Sequence, residues 1–393
     1  MKKTSFILTI AAACLLIASC NHNKAKTSDN PSAYLTDNQK IDMVHSLKSI
    51  DGTRFLEMDY TMDYDLDAMI NANVNSFDKF MEYLFTNMFD IKPETSLLAS
   101  PSSGCSAFAT QDPATNDWYM GRNYDYCHVE NGEEVPITAL FVRTAPKNGK
   151  KSISMVDTYW MGYKDGFYND GKSDLSMLVG APYSLLDGMN EDGLAVSVLH
   201  LQGNPTRQDD PSKNTVWSSV LMRIMLDRAS NVDEAIEIAK KYNLNMETPA
   251  LGNNHFFVAD ASGNYAIIEY SYEENGVVTD SSTPNRLVTL QGEEHSYVTN
   301  FYVDPALAEN SYLGGLSTKG KARYLILEGT LWLNTYKLTK EQAMDLLKAT
   351  SQKTKPEENT SHTQWSALYN LTQRTLDISI LREFDKTYSF KIE

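Results

Sequence analysis

The sequence predicts an α+β protein in which strands and helices come in separate runs. Two observations carry this. Short β-branched and aromatic segments recur between Ser106 and Leu201, and two helical segments then follow one another before strands resume. A third is length: 393 residues suffice for one large domain or two smaller ones, each with a real core.

Leu35 to about Phe89 reads as mostly helical, with apolar residues at Ile41, Val44 and Leu47 and again at Phe77, Phe80 and Leu84. Thr95 to Gly104 is rich in Ser, holds Pro101, and reads as a linker open to processing. Strands are predicted over Ser106–Thr110, Trp118–Tyr126, Ala139–Arg143, Ile153–Tyr159 and Leu194–Leu201. Asp187 to Gly193 reads as an architectural turn into the last of these. Val216–Arg228 and Val232–Tyr242 read as helices, the second opened by the cap candidates Ser230 and Asn231. His255–Tyr270 is a hairpin pattern, Lys340–Thr350 a further helix, and Ser366–Lys391 strands again.

At the start, Lys2 and Lys3 precede the apolar run Phe6–Ile17, and Ala18-Ser19-Cys20 follows. This is a secretory signal layout, too short for a standard membrane span. Ile17 to Cys20 resembles a bacterial lipobox, with Cys20 as the lipidated residue. The polar stretch behind it reads as a tether. A formal net charge of −16 argues against a nucleic-acid partner, whose phosphates require Lys and Arg. With Cys14 in the signal and Cys20 on lipid, Cys105 and Cys127 remain. They could form one bridge in an oxidising compartment, and that bridge would abolish a nucleophile.

Gly104-Cys105 lies where the polar run Ser-Pro-Ser-Ser meets an apolar segment. A cut there would make Cys105 a new amino terminus. A free thiol has a pKa of about 8.5 and an α-amine of about 7.7–8.0. One residue would then carry both nucleophile and general base. Before the cut that nitrogen is an amide with no basicity, so the precursor would be inactive. Gly104 has no Cβ to obstruct the thiol's approach.

Cys105-Ser-Ala-Phe, Gly121-Arg-Asn-Tyr-Asp125, Asp187-Gly-Met-Asn-Glu-Asp-Gly-Leu194, Val298-Thr-Asn300 and Ala322-Arg-Tyr324 occur in this order. Together they resemble the linear amide C–N hydrolases, the choloylglycine hydrolase family of N-terminal-nucleophile enzymes, over about residues 105–390. The resemblance implies a four-layer αββα sandwich and self-cleavage before Cys105. It implies that Asp125 holds the Cys105 amine and that Arg122 lies near the sulfur and favours thiolate. Asn300 matches the side-chain oxyanion donor. The second donor is a backbone N–H placed at His200, where relatives often carry Asn or Tyr. Arg323 matches a late arginine supporting the charge network. Each has a plainer alternative: a strand-end Arg–Asp pair, a turn asparagine, a helix-surface arginine.

On this reading residues 1–19 are a lipoprotein signal peptide, 20–34 a tether, 35–104 a helical pro-segment and 105–393 the hydrolase domain. The long segment before the cysteine is similar to the acid ceramidase branch, which keeps its N-terminal piece, and Gly-Arg-Asn-Tyr-Asp-Tyr to the penicillin acyltransferase branch. The expected activity is hydrolysis of linear N-acyl amides, first conjugated bile acids, then N-acyl amino acids or fatty amides. The alternatives are acyl transfer, penicillin V-type cleavage, or a non-catalytic envelope lipoprotein with Cys105 bridged to Cys127. No cofactor is required. His255, Asp260 and Glu269 match no compact metal-ligand pattern, and no metal is expected. The expected location is the cell envelope, lipid-anchored and facing the periplasm, with the pro-segment a candidate retained partner.

Overall fold

The computed structural model describes residues 29–91, 102–130, 133–201, 208, 210–245, 253–270, 272–274, 277–279, 287–304, 320–354 and 361–393. Cys20, the signal segment and most of the tether lie outside the described residues.

In chain order the first strands are β1 (Lys48–Asp51), β2 (Phe55–Tyr60), β3 (Ser102–Gln111), β4 (Trp118–Glu130), β5 (Glu133–Val135), β6 (Ala139–Thr144), β7 (Ser152–Asp157), β8 (Leu185–Asn190) and β9 (Ala195–Leu201). They continue as β10 (Thr215–Trp217), β11 (Asn243–Asn245), β12 (Asn253–Ala259), β13 (Tyr265–Tyr270), β14 (Tyr272–Glu274), β15 (Val277–Thr279) and β16 (Leu287–Leu290). The last are β17 (Tyr297–Val298), β18 (Thr363–Asn370), β19 (Thr375–Ile380) and β20 (Tyr388–Lys391). The helices are α1 (Asn38–Val44), α2 (Leu66–Asn71), α3 (Phe77–Asn87), α4 (Ser218–Arg228), α5 (Val232–Lys241), α6 (Lys321–Leu333) and α7 (Lys340–Thr350).

The larger sheet runs β1-β2-β6-β7-β8-β9-β12-β13-β16, and the smaller runs β17-β3-β4-β18-β19-β20 with β5 added to β4. Strand alternation sorts their side chains into three cores. Leu56, Met58, Leu140, Val142 and Val196 leave the larger sheet on one face and pack with the helices α1 to α5. Phe55, Phe141, Met155 and Phe257 leave it on the other and meet Ala107, Met120, Trp365 and Ile378 of the smaller sheet. Phe108, Tyr119 and Leu368 on that sheet's far side pack on Leu327, Leu331, Leu346 and Leu347 of α6 and α7. The layer order is therefore α, β, β, α.

Most predicted elements stand, with shifted ends. Asn231 caps α5, its side chain accepting from the Glu234 N–H at 3.0 Å. Thr339 and Gln342 form a capping box on α7. Three readings need correction, and one helix goes unread in the sequence. Residues 35–89 are not mostly helical, because β1 and β2 lie among them and β2 pairs in parallel with β6. Gly104-Cys105 is not at a strand's edge but inside β3, which begins at Ser102. Asp187 sits on β8, not in the turn that follows it. Helix α6, which carries Arg323, has no clear helical period in the sequence: Leu325, Ile326, Trp332 and Leu333 are exposed while Leu327 and Leu331 are buried.

Candidate active site

β3 places the cysteine. It pairs antiparallel with β4, setting Cys105 against Tyr124, Ala107 against Arg122 and Gly104 against Asp125. Directly opposed side chains share a face. Cys105, Tyr124 and Arg122 thus point between the sheets, while Asp125 points to the α6–α7 side. Cys127 opposes Ser102 and falls on the face away from Cys105. A bridge between them would need the sheet rebuilt, and no disulfide joins them.

On its other edge β3 meets β17, with Tyr297 opposite Phe108 and Val298 opposite Ala107. Continuing that register brings Asn300 opposite Cys105. There a side chain takes over from backbone pairing: the Cys105 N–H donates to Asn300 Oδ1 at 2.7 Å. Arg323 Nη1 donates to the Cys105 carbonyl, and its Nη2 to Asn300 Oδ1 at 2.7 Å. Two donors on Oδ1 fix the orientation of the amide, so Nδ2 faces away and donates to the His200 carbonyl at 2.7 Å.

The edge of β9 explains that last contact. Asn190 N–H donates to the Leu194 carbonyl, so alternate residues from Leu194 onward turn their backbone groups towards β8. The last β9 residue paired with β8 is Ser197. The backbones of Val198 and His200 therefore face a free stretch of edge, and their carbonyls accept from Arg122 Nη2 and Asn300 Nδ2, each at 2.7 Å.

Arg122 is wholly buried. Its Nη1 donates to the Asn123 carbonyl at 2.7 Å, and its Nε lies 3.6 Å from Asp187 Oδ2. Burial alone would lower its pKa, but the neighbouring Cys105 and Asp187 side chains outweigh that, and the pKa is raised. Trp365 Nε1 donates to Asp187 at 3.0 Å and the Tyr369 hydroxyl donates to its other oxygen. Asp125, also wholly buried, accepts from Thr363 Oγ1 at 2.5 Å and Gln352 Nε2 at 2.7 Å, with Arg323 Nη1 at 3.4 Å.

The structure thus gathers Gly104, Cys105, Asp125, Asn300 and Arg323 around one peptide bond, brings His200 in through its carbonyl, and sets Arg122 on the thiol's side. Asp125 does not hold the Cys105 nitrogen, whose hydrogen goes to Asn300 while Asp125 accepts from Thr363 and Gln352; Arg122 and Asp125 do not pair with one another, and Arg323 is buried, not a surface residue. The sequence reading missed Asp187 as the partner of Arg122, and Gln352 and Thr363 as the partners of Asp125. Asn190 is architectural: its Nδ2 donates to the Leu226 and Ala229 carbonyls at 2.9 and 2.7 Å. Among the described residues no group of three His, Cys, Asp or Glu is placed to hold a metal.

A pocket of about 960 Å³ of atom-free space, mouth included, opens at Cys105. Phe80 and Leu84 of α3, Tyr124, Trp160, Trp217 and Met222 are among its walls, and among the described residues none that lines it is Asp, Glu, Lys or Arg.

The layer order, with the cysteine on an inner strand of the smaller sheet, is an αββα sandwich. The family model for linear amide C–N hydrolases, choloylglycine hydrolase family, matches residues 105–311, and the chain belongs to that family. No curated protein matches it. A solved mutant of the conjugated bile acid hydrolase from Clostridium perfringens is similar at 14% identity and TM-score 0.47, over 73% of this chain and 92% of that one. Penicillin V acylase from Agrobacterium tumefaciens is similar at 18% identity and TM-score 0.44, over 70% and 83%.

Proposed function

We propose that the protein hydrolyses linear N-acyl amides with a bulky apolar acyl group, using Cys105 as nucleophile after a cut between Gly104 and Cys105. The observation that carries this reading is the uncharged, aromatic pocket opening directly at the Cys105 thiol. An acyl chain or steroid fits such walls. The charged amine half of a conjugate would stay towards solvent, since among the described residues no lining cation would receive it.

In the uncut chain the Cys105 nitrogen is an amide whose hydrogen lies on Asn300 Oδ1. In the precursor, the thiol adds to the Gly104 carbonyl, the C–N bond breaks, and water hydrolyses the resulting thioester. Residue 105 is left with an amine, still facing Asn300. In turnover the sulfur adds to the substrate carbonyl and the amine takes the thiol proton. That proton passes to the leaving nitrogen as the C–N bond breaks. Water, deprotonated by the same amine, then releases the acid. Arg122 favours the thiolate. Asn300 Nδ2, turned towards β9, and the His200 backbone N–H would receive the oxyanion.

The N-terminal piece stays in the working enzyme, because α3 supplies pocket walls and residues 35–89 share the core of the larger sheet. Lipid on Cys20 would hold the enzyme in the envelope, facing the periplasm; among the described residues no helix is long and apolar enough to cross a membrane. The test is a release assay across glycine-conjugated bile acid, lauroyl and phenoxyacetyl amides, with Cys105→Ala as control. Turnover of the bile-acid or lauroyl amide that vanishes in the control supports the reading. Turnover that survives Cys105→Ala contradicts it.

A further inference from the structure

The strongest unused feature is a buried pair beneath Asn300. His255 on β12 and Glu269 on β13 are cross-strand neighbours, in line with the paired Phe256 and Ile268. Both are wholly buried. They share the face of Phe257 and Ile267, so they point into the space between the sheets. There they meet the segment that follows β17. His255 Nε2 lies 2.8 Å from the Thr299 carbonyl, and its Nδ1 lies 2.9 Å from Glu269 Oε1. Glu269 in turn accepts from the Val303 N–H at 2.9 Å and the Asp304 N–H at 2.8 Å.

The proton count follows from these partners. A backbone carbonyl only accepts, so Nε2 carries a hydrogen. Glu269 takes a backbone N–H on each oxygen, and one further proton lies between Nδ1 and Oε1. The pair is net neutral and spends every contact on residues 299, 303 and 304. Asn300 lies between those pins.

We infer that His255 and Glu269 are positioning residues for the reaction: they fix the segment 299–304 so that the Asn300 amide keeps its donor on the oxyanion side. Neither residue lines the pocket or contacts Cys105. The inference rests on the reading of Asn300 as oxyanion donor given above.

The test uses cut enzyme and a fluorogenic lauroyl amide, with iodoacetamide alkylation of Cys105 as the second readout. Alkylation needs the thiolate but no oxyanion donor. His255→Leu removes the pin at Thr299 and should lower kcat about 10–100-fold, a displaced donor costing up to what a deleted one costs. KM should stay within about twofold, because the interaction is made in the transition state, and alkylation should fall far less than kcat, although Asn300 also faces the Cys105 amine. His255→Gln keeps an N–H for the Thr299 carbonyl and should lose less, about three- to ten-fold. A kcat within about twofold of wild type in His255→Leu overturns the inference, as does alkylation that falls in step with kcat. If the leucine variant does not fold, His255→Gln decides alone, and wild-type kcat in it overturns the inference. Asn300→Ala separates the two levels. Full kcat there sinks the oxyanion reading itself, whereas a crippled Asn300→Ala beside an unaffected His255 variant sinks only the positioning role.

Discussion

Asn300 stands opposite Cys105 in the continued register of β17 on β3, and its side-chain oxygen accepts the Cys105 N–H at 2.7 Å. The peptide nitrogen that the proposed cut would free is thus held by a side chain, not by the sheet. A backbone partner would tie the new amine into the ladder, whereas an amide side chain can hold either the uncut peptide or the amine.

Gly104 should be intolerant of a side chain. A Cβ there would lie 2.8 Å from Gln352 Nε2, which donates to Asp125, and 3.4 Å from Arg323 Nη2, which donates to Asn300. Gly104→Val is expected to slow the cut by about 10–100-fold, the scale of a misplacement near one ångström. Intact chain accumulating on a denaturing gel, with an unchanged melting temperature, is the expected outcome.

Arg122 and Asp187 form a buried pair whose halves depend on one another. Arg122→Met leaves a buried carboxylate held by Trp365 and Tyr369 alone, and should destabilise the protein by about 3–5 kcal/mol. Arg122→Met with Asp187→Leu should lose less than the two single changes added together. Denaturant unfolding of all three variants measures the difference.

Tyr64 ties the N-terminal piece to the remainder. Its hydroxyl lies 2.7 Å from each Asp227 oxygen, and Arg223 Nε donates to the same carboxylate at 2.8 Å. Burial pushes the Tyr64 hydroxyl well above its ordinary pKa, so it keeps its proton and donates. Tyr64→Phe should cost about 1–3 kcal/mol by leaving a buried acceptor short of a donor. In size-exclusion chromatography the two cut pieces should co-elute, and Tyr64→Phe should lower the urea concentration at which they part.

Leu84 faces the pocket from α3. Leu84→Trp should raise KM for a lauroyl amide about tenfold, the scale of one or two methylenes excluded from an apolar site. It should leave an acetyl amide unaffected. Steady-state kinetics on both amides checks this.

The residues legible in the sequence were those whose chemistry shows locally: a cysteine after glycine, an arginine and an aspartate three apart on a strand, an asparagine at a strand's end. Their partners were not, because the chain brings them from far away. Gln352 is 227 residues from Asp125, and Thr363 is 238 away. Asp187 carries the signature of a turn because Asn-Glu-Asp-Gly follows closely, yet the strand runs on to Asn190. The strand β2 was hidden for the same reason of distance: its partner β6 begins at Ala139. Helix α6 was hidden because its apolar residues lie all round it, which erases the helical period.

The central claim is that Gly104-Cys105 is cut and that the freed Cys105 is the nucleophile. N-terminal sequencing with intact mass, on purified wild type and Cys105→Ala, tests it most directly. The expected outcome is a chain beginning at Cys105 in the wild type and an uncut chain in Cys105→Ala. An active wild-type protein whose Gly104-Cys105 bond remains whole would contradict it.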